Sequence, residues 1–230
     1  YIHLSQASLS RSPHHGAPAV WVPLASDIEE RMQREPGNSR ESMGLESAST
    51  ISATFGDFQK LGTSGYLQAL GQILQRFSKH FHLFAGTGNV KSIRAYLHDE
   101  GVLSRVRFLG PMSDVSSVMN AIDVYLAPFP NTETSMLLKA MGAGKPAVVL
   151  RYPEGSPFNS SAELLGVPEL AASRESEYAE IAMRLLRDRD ARDRAAALVS
   201  SRFTSEFHPS LLGQRYLEFL KRLLTAPATH

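Results

Sequence analysis

The chain contains 230 residues, of which 43% are hydrophobic and 20% charged, and its formal net charge is +1. Such a balance gives no electrostatic reason to bind nucleic acid or an anionic membrane surface. The absence of cysteine excludes disulfides and thiolate metal sites, and no apolar run approaches the roughly 20 residues of a membrane helix. Because the N-terminus also lacks a signal-peptide pattern, we expect a cytoplasmic globular protein.

Residues 1–48 differ from the rest of the chain because they lack a regular pattern. The stretch Ala19–Val22 predicts a short strand, and a capping box formed by Ser26 and Glu29 predicts a helix over residues 27–34. The remainder of this segment is irregular. Such an opening is typical of a remnant of a preceding domain, so we expect the chain to be a piece of a larger protein.

From Thr50 onward, short apolar runs alternate with helical patterns. The runs predict strands over Thr50–Phe55, Phe81–Ala85, Val106–Leu109, Asp123–Ala127 and Ala147–Leu150. Helical spacing predicts a helix that begins at Thr63 or Ser64 and ends at Phe77, a helix over Val90–Glu100 capped by Asn89, and a short helix capped by Ser113 that ends at Ala121. A further short helix ends at Gly144-Lys145-Pro146. Three more helices are predicted over Ser176–Arg187, Asp188–Ser201 and Leu211–Leu224. This alternation predicts an α/β fold with a doubly wound, Rossmann-like parallel sheet.

The loop from Asn131 to Met136 is the first candidate site. It follows a buried strand and enters a helix, so it offers free backbone N–H groups and the positive end of a helix dipole, which together bind anions such as phosphate. Its hydroxyl groups, on Thr132, Thr134 and Ser135, either bind that anion or cap the helix. We expect an anion site here, because one hydroxyl is enough to cap a helix and the others are then available to the anion.

Two further loops meet this one if the sheet is parallel, because ligands of open α/β sheets bind outside the carboxyl ends of the strands. One loop contains Lys60, which either meets a diphosphate as a point charge or is a solvated loop lysine. The other is the Gly86-Thr87-Gly88 turn. It lacks the third glycine of a dinucleotide fingerprint, so a tight turn into a helix is its simpler interpretation.

Two other patterns carry weaker signals. Asp188-Arg189-Asp190 is similar to the carboxylate pair of metal-dependent sugar-nucleotide sites, but it belongs to a highly charged stretch that favours a salt-bridged solvent face. His80 and His82 alternate on what we interpret as a strand edge, without a further ligand at metal spacing. We therefore predict no metal site.

Several motifs together resemble one family. They are Phe55-Gly56-x-Phe58-x-Lys60-Leu61, Gly101-Val102-Leu103-x-Arg105-Val106-Arg107-Phe108-Leu109-Gly110, Ala121-Ile122-Asp123-Val124-Tyr125-Leu126-x-Pro128-Phe129-Pro130, Lys139-Ala140-Met141-Gly142-Ala143-Gly144-Lys145-Pro146 and Leu165-Gly166-Val167-Pro168-Glu169-Leu170-Ala171. In this order they resemble the carboxyl-terminal half of a GT-B fold glycosyltransferase. Within that fold they are most similar to the O-GlcNAc-transferase-like group, glycosyltransferase family 41, which includes bacterial N-glucosyltransferases. The resemblance covers roughly residues 40–224.

The resemblance implies a UDP-sugar donor site in residues 49–230, with residues 1–48 left from an acceptor-side domain. Lys60 would hold the diphosphate, and Thr134, Ser135 and Met136 would surround the distal phosphate. Phe108, Leu109 and Met112 would lie near the base, and Gly86, Thr87, Asn131, Thr132 and Glu133 would complete the donor site. No cofactor or metal is implied, because a lysine and a helix dipole neutralise the leaving diphosphate.

The chain departs from that group at two positions. Lys139 stands where these enzymes have a carboxylate for the ribose or sugar hydroxyls, and a cation cannot accept a hydrogen bond from a hydroxyl. Ribose binding then either uses another carboxylate, such as Glu133, which is near in sequence, or is weakened. Met112 stands where the O-GlcNAc transferases have a lysine.

The sequence therefore predicts the donor-binding domain of a metal-independent glycosyltransferase. It would transfer a hexose or an N-acetylhexosamine to a protein or glycan acceptor. Two alternatives stay open. One is a degenerate, non-catalytic interaction module, which Lys139 favours. The other is a sugar-nucleotide epimerase of the same fold.

Overall fold

The structure is a computed structural model that describes residues 2–3, 20–21, 39–45, 50–61, 64–154 and 156–225. Its strands are β1 (Ile2–His3), β2 (Val20–Trp21), β3 (Thr50–Asp57), β4 (His80–Thr87), β5 (Val106–Gly110), β6 (Val124–Leu126), β7 (Ala147–Leu150) and β8 (Ala171–Ala172). Its α-helices are α1 (Ser39–Ser42), α2 (Ser64–Arg76), α3 (Lys91–Asp99), α4 (Ser116–Ala121), α5 (Thr134–Gly142), α6 (Ser160–Leu165), α7 (Glu175–Arg187), α8 (Arg189–Glu206) and α9 (Pro209–Thr225).

Six strands form one parallel sheet in the order β5-β4-β3-β6-β7-β8. The chain builds outward from β3 through β4 to β5, and then returns to the other side of β3 to build β6, β7 and β8. The order therefore reverses between β3 and β6, and ligands of doubly wound sheets bind at the carboxyl end of such a switch point. The predicted Rossmann-like fold is confirmed. The short strands β1 and β2 pair with each other in a separate parallel sheet.

The predicted strands and helices recur with shifted bounds. Strands β3 and β4 each continue two residues further than predicted, so Gly86 and Thr87 belong to a strand and not to a turn. The predicted loop after β3 contains a 3₁₀ turn over Phe58–Leu61. Helices α1 and α6 and the two-residue strands β1 and β8 were not predicted, since β1 lies in a stretch that was interpreted as irregular. The helix predicted over residues 27–34 lies outside the described residues.

Helix α4 begins later than predicted and has a different cap. The side chain of Asp114, and not that of Ser113, accepts hydrogen bonds at its first turn, from the backbone amide of Ser116 at 2.9 Å and from the Ser116 hydroxyl at 2.7 Å. Asn89 acts as predicted, because its Oδ1 accepts a hydrogen bond of 2.9 Å from the amide of Lys91, the first residue of α3.

His80 and His82 lie in the interior of the sheet, and not at a strand edge as predicted, since β4 pairs with strands on both sides. Both side chains are completely buried. The hydroxyl of Ser52 on β3 joins them, at 2.9 Å from His80 Nε2 and 2.7 Å from His82 Nδ1. Burial lowers the pKa of His80 to about 3 and that of His82 well below its ordinary value. The pair is therefore neutral in the folded protein.

Two buried tyrosines fix the carboxyl end of β6, where the candidate loop begins. The hydroxyl of Tyr178 on α7 donates to the carbonyl of Ala127 at 2.9 Å. The hydroxyl of Thr54 on β3 donates to the carbonyl of Leu126 at 2.9 Å and also bonds to the hydroxyl of Tyr66 on α2. Because these carbonyls lie where the sheet ladder ends, the side chains complete the backbone hydrogen bonding that the strand cannot supply.

Asp123 lies at the amino ends of β3 and β6, opposite the candidate loop. Its carboxylate accepts from the amide of Ile51 at 2.7 Å and pairs with Arg40 of α1 at 2.8 Å. Leu45, just after α1, is fully buried in the core. Residues 39–45 therefore pack against the sheet. Within the described residues, the structure has no helix that combines the length and apolar character needed to span a bilayer.

Candidate donor site

A cavity of about 190 Å³ opens at the carboxyl ends of the central strands. Its walls come from the end of β3, the end of β4, the segment between β5 and α4, and the first turn of α5. The lining residues are Phe55, Gly56, Ala85, Gly86, Met112, Val115, Glu133, Ser135 and Met136. The cavity therefore lies beside the switch point between β3 and β6, where this class of sheet binds its ligands.

One wall is made of glycine backbone. Gly56 and Gly86 are register partners on β3 and β4, and both line the cavity. Gly56 has φ +136°, a conformation that favours glycine, and the Cγ of Glu133 lies 3.0 Å from the position that a Cβ on Gly56 would take. The missing side chains let the loop after β6 approach the sheet closely, so the glutamate is held across the end of β3.

The facing wall is the amino terminus of α5. The carbonyl of Glu133 accepts from the amides of Met136 at 3.0 Å and Leu137 at 3.1 Å. The amides of Thr134 and Ser135 precede them, and first-turn amides have no partner inside their own helix. The apolar residues of α5, Leu137, Leu138, Ala140 and Met141, are buried. The core thus fixes the helix with its positive end beside the cavity.

The loop before α5 is ordered by its own side chain. The hydroxyl of Thr132 donates to the carbonyl of Pro128 at 2.7 Å. Thr132 and its neighbour Asn131 are absent from the cavity lining. The threonine hydroxyl therefore closes the turn, whereas the sequence had suggested that it binds an anion or caps the helix.

Phe108 packs against Phe84 and is not part of the cavity lining. The two residues are register partners on β5 and β4. The Phe84 and Phe108 rings stack with centroids 5.1 Å apart, and the Arg94 guanidinium lies 4.2 Å from the Phe108 centroid. The aromatic ring is thus occupied by contacts within the protein.

The cavity brings together five of the predicted site residues: Gly86, Met112, Glu133, Ser135 and Met136. Seven others are not part of its lining: Thr87, Phe108, Leu109, Asn131, Thr132, Thr134 and Lys139. Lys60 belongs to the 3₁₀ turn after β3, and its side chain lies outside the described part of the structure. Lys139 follows Ser135 by one helical turn, so both residues occupy the same face of α5.

Four lining residues were not predicted: Phe55, Gly56, Ala85 and Val115. The Phe55-Gly56 pair belongs to a motif that was recognised, and a glycine at the end of a strand signals a close approach of backbone. Ala85 precedes the predicted Gly86. Val115 has no sequence signal of its own, because its position depends on the path between β5 and α4.

The described residues contain no cluster of side chains suited to bind a metal ion. Across the described ranges, no group of three or more His, Asp or Glu side chains is placed to hold an ion. The Asp188-Arg189-Asp190 stretch belongs to the start of α8. Asp188 Oδ1 accepts from the amide of Ala191 at 3.0 Å, and Arg189 pairs with Asp193 at 3.6 Å. Arg189 and Asp193 thus form part of the charged solvent face that the sequence favoured, and Asp188 caps the helix, which was not predicted.

A second cavity, of about 320 Å³, lies between α7 and α8 and includes Glu169, Arg184, Asp188, Arg194 and Leu198. It is larger than the first. However, Glu169 precedes β8, so this cavity lies toward the amino ends of the strands, away from the edge where α/β sheets bind ligands. We therefore regard the cavity lined by Gly56, Gly86 and Glu133 as the candidate site and call it the switch-point cavity.

Comparison with protein families decides the class. The model of the family described as "Glycosyl transferases group 1" matches residues 51–188, which is more than half of the chain. The chain belongs to this family. The matched residues of this group 1 glycosyltransferase domain include β3 except for Thr50, the strands β4 to β8 and every residue of the switch-point cavity. No curated protein matches the sequence significantly.

Solved structures agree on the fold. Anabaena Alr3699/HepE in complex with UDP and glucose superposes with a TM-score of 0.77 at 20% identity, over 96% of this chain and 62% of that one. WaaG, a glycosyltransferase involved in lipopolysaccharide biosynthesis, gives 0.74 at 16% identity, over 98% and 62%. A mutant O-GlcNAc transferase from Thermobaculum terrenum gives 0.61 at 20% identity, over 77% and 36%. The chain thus spans less than two thirds of the length of these proteins.

Proposed function

We propose that this chain forms the donor-binding part of a metal-independent glycosyltransferase that uses a UDP-linked hexose or N-acetylhexosamine. The observation that carries the proposal is the switch-point cavity. It is bounded by strand-end glycines on one side and by the positive end of α5 on the other. A nucleoside diphosphate sugar has an anionic centre and neutral, hydroxyl-bearing ends, which this combination of surfaces fits.

The diphosphate would bind between α5 and the 3₁₀ turn after β3. The amides of Thr134 and Ser135 point toward it from the first turn of α5, and Lys60 would supply a positive charge from the facing turn. Negative charge develops on the diphosphate as the glycosidic bond breaks. Preorganised donors at such a position contribute about 3–4 kcal/mol each to the stabilisation of a transition state, so no metal ion is required.

The remaining donor contacts divide by polarity. Phe55, Met112, Val115 and Met136 provide apolar surface, and Glu133 provides a hydrogen-bond acceptor. The contacts of Phe108 and Leu109 with the base stay a prediction. The UDP complex of HepE supports UDP as the nucleotide.

The acceptor would be a protein or a glycan that binds to a part of the enzyme outside these 230 residues. We further propose that the enzyme belongs to the O-GlcNAc-transferase-like group, a proposal that the ordered motifs from Phe55 to Ala171 support. One such transferase also shares the fold. The absence of cysteine is consistent with a cytoplasmic location.

Calorimetric titration of the purified protein with UDP, ADP and GDP tests the proposal. We expect UDP to bind, and Lys60→Ala to weaken this binding by on the order of tenfold to a hundredfold, because a charged contact to phosphate is lost. Lys79→Ala is the matched control, since Lys79 is exposed and immediately precedes the amino end of β4. Absence of binding to all three nucleotides, or equal binding by Lys60→Ala, would contradict the proposal.

A second candidate is a module that binds a nucleotide but transfers no sugar. Lys139 favours it, because a cation shares a helix face with Ser135 where related transferases have a carboxylate. Release of UDP from UDP-glucose or UDP-N-acetylglucosamine by the intact protein distinguishes the two candidates. Transfer or hydrolysis supports the enzyme, and UDP binding without release supports the module.

A further inference from the structure

An aromatic pair lies just beyond the carboxyl end of β7. Tyr152 follows this strand by two residues, and Phe158 lies in the 3₁₀ turn that leads into α6. Their ring centroids are 5.6 Å apart, and the ring planes meet at 55°. Tyr152 packs against the core, whereas Phe158 is 40% exposed. An exposed aromatic side chain at the edge where α/β sheets bind ligands is a candidate recognition surface.

Hydrogen bonds within the loop hold the pair in a fixed arrangement. The side chain of Asn159 accepts from the amide of Tyr152 at 3.1 Å and donates to Glu163 at 3.2 Å. The hydroxyl of Ser156 accepts from the amide of Phe158 at 3.2 Å. The Phe158 ring is therefore presented to solvent by an ordered loop, so a ligand that packs on it loses little free energy to ordering the protein.

A carboxylate lies beside the pair. The charge of Glu175, at the start of α7, contributes to the raised pKa of Tyr152, although burial contributes more. Glu175 is exposed, and its carboxylate lies over Gly65 in the first turn of α2, where the missing side chain leaves room for it. The surface thus combines aromatic rings with a phenolic hydroxyl and a carboxylate, which together donate and accept hydrogen bonds.

Sugar rings match this combination of groups. A pyranose with equatorial hydroxyls presents C–H bonds on its two faces and hydroxyls around its edge. The C–H bonds pack on the negative face of an aromatic ring, and the hydroxyls bond to phenol and carboxylate oxygens. A pure hydrocarbon ligand would use the rings alone and would leave polar groups without water or a partner.

The pair also shares an edge of the sheet with the switch-point cavity. Only β6 separates β7 from β3 in the sheet. Neighbouring strands are about 4.8 Å apart, so the carboxyl ends of β3 and β7 are roughly 10 Å apart. A donor in the cavity and a chain of sugars beside it therefore fit along one edge.

We propose that Tyr152, Phe158 and Glu175 form a carbohydrate subsite that binds a pyranose ring of the acceptor. The inference deepens the proposed function and rests on it, because it makes the acceptor a glycan. The reacting end of that glycan binds outside these 230 residues, and a sugar further along it packs on Phe158.

An NMR titration of the intact protein tests the subsite. The probes are cellotriose and chitotriose, whose rings have equatorial hydroxyls, and sorbitol, which has hydroxyls but no ring. We expect one or both trisaccharides at millimolar concentration to shift the amides of Tyr152, Phe158 and Asn159. Sorbitol should shift none of them, because it has no ring face to pack on an aromatic side chain.

Phe158→Ala should weaken trisaccharide binding about tenfold, because an aromatic anchor is lost. Phe158→Leu keeps an apolar side chain, and it should weaken binding nearly as much, since leucine has no ring face. Tyr216→Ala is the matched control, because Tyr216 is 39% exposed on α9. Circular dichroism establishes that each variant is folded, and calorimetry should give each the UDP affinity of the wild type.

Three results would overturn the inference and leave the proposed function standing. The first is a wild-type protein that binds UDP but neither trisaccharide. The second is equal trisaccharide affinity of Phe158→Ala and wild type, which would place the sugar elsewhere. The third is a change of oligomeric state in Phe158→Ala, which would assign the rings to a contact between copies. A wild-type protein that binds no nucleotide would overturn the proposed function, and the acceptor role with it.

Discussion

Gly86 lies so close to Gly56 that a Cβ atom on Gly86 would be 1.9 Å from the carbonyl oxygen of Gly56. No side chain fits there, since real contacts of a Cβ atom are longer by more than 1 Å. The two residues are register partners at the ends of β3 and β4, and both line the switch-point cavity. The close approach of the two backbones therefore defines the wall against which Glu133 lies.

Gly86→Ala should destabilise the protein by about 3 kcal/mol, because the new methyl group displaces the Gly56 carbonyl. It should also weaken UDP binding, because the displaced backbone of Gly56 lines the switch-point cavity. Gly213→Ala is the control. Gly213 lies within α9 with open space around it, so alanine should stabilise the protein by roughly 0.5–1 kcal/mol. Urea denaturation and calorimetry measure both effects. A Gly86→Ala protein with wild-type stability and UDP affinity would contradict this assignment.

Tyr178→Phe should loosen the loop that leads into the site. The substitution leaves the carbonyl of Ala127 without its 2.9 Å hydrogen bond in a buried environment, which costs about 1–3 kcal/mol. Affinity for UDP should fall with stability, because Ala127 is where the segment before α5 begins. Tyr216→Phe, at a tyrosine that is 39% exposed on α9, should change neither quantity. If Tyr178→Phe proves as stable as wild type, the hydrogen bond does not anchor the loop.

The buried histidine pair should make the protein sensitive to mild acid. Burial, assisted by the charge of Arg105, lowers the pKa of His80 to about 3, and burial with His80 lowers that of His82. In the unfolded chain both histidines take up protons as the pH falls below about 6.5, while the folded protein does not, so stability rises with pH in this window. The loss between pH 7.5 and pH 5 is about 2 kcal/mol for a histidine that stays neutral when folded.

Denaturation of His82→Gln at pH 7.5 and pH 5 tests whether the buried histidine makes stability rise with pH. The variant should be less stable than wild type at pH 7.5, and the difference should shrink by about 2 kcal/mol at pH 5, because one titrating group has been removed. His98→Gln is the control, since the side chain of His98 is 77% exposed. A constant difference between His82→Gln and wild type at both pH values would mean that His82 is protonated in the folded state.

The sequence could predict the sheet because each of its five longest strands is a short apolar run bounded by a turn. Strand β8 could not be predicted, since two alanines give no periodic signal. The histidines were misplaced at an edge for a related reason. An alternation of polar side chains looks the same on an edge strand and on an inner strand whose neighbour supplies partners, here Ser52.

The site was predictable only where local pattern determines it. The wall formed by the first turn of α5 could be predicted, because a strand, a loop with hydroxyl groups and a helix follow one another along the chain. Ser135 and Met136 do line the cavity. The facing wall depends on the register between β3 and β4, which are about 30 residues apart, and register cannot be read from one strand alone. The position of Phe108 depends in the same way on the register between β4 and β5.

The central claim is that a nucleotide sugar binds in the switch-point cavity, and amide chemical-shift mapping by NMR during a UDP titration tests it most directly. We predict that the amides of Gly56, Gly86 and Ser135 shift and saturate together, while those of Arg184 and Leu198 in the cavity between α7 and α8 do not move. Shifts confined to the latter cavity, or no shifts at millimolar UDP, would contradict the account.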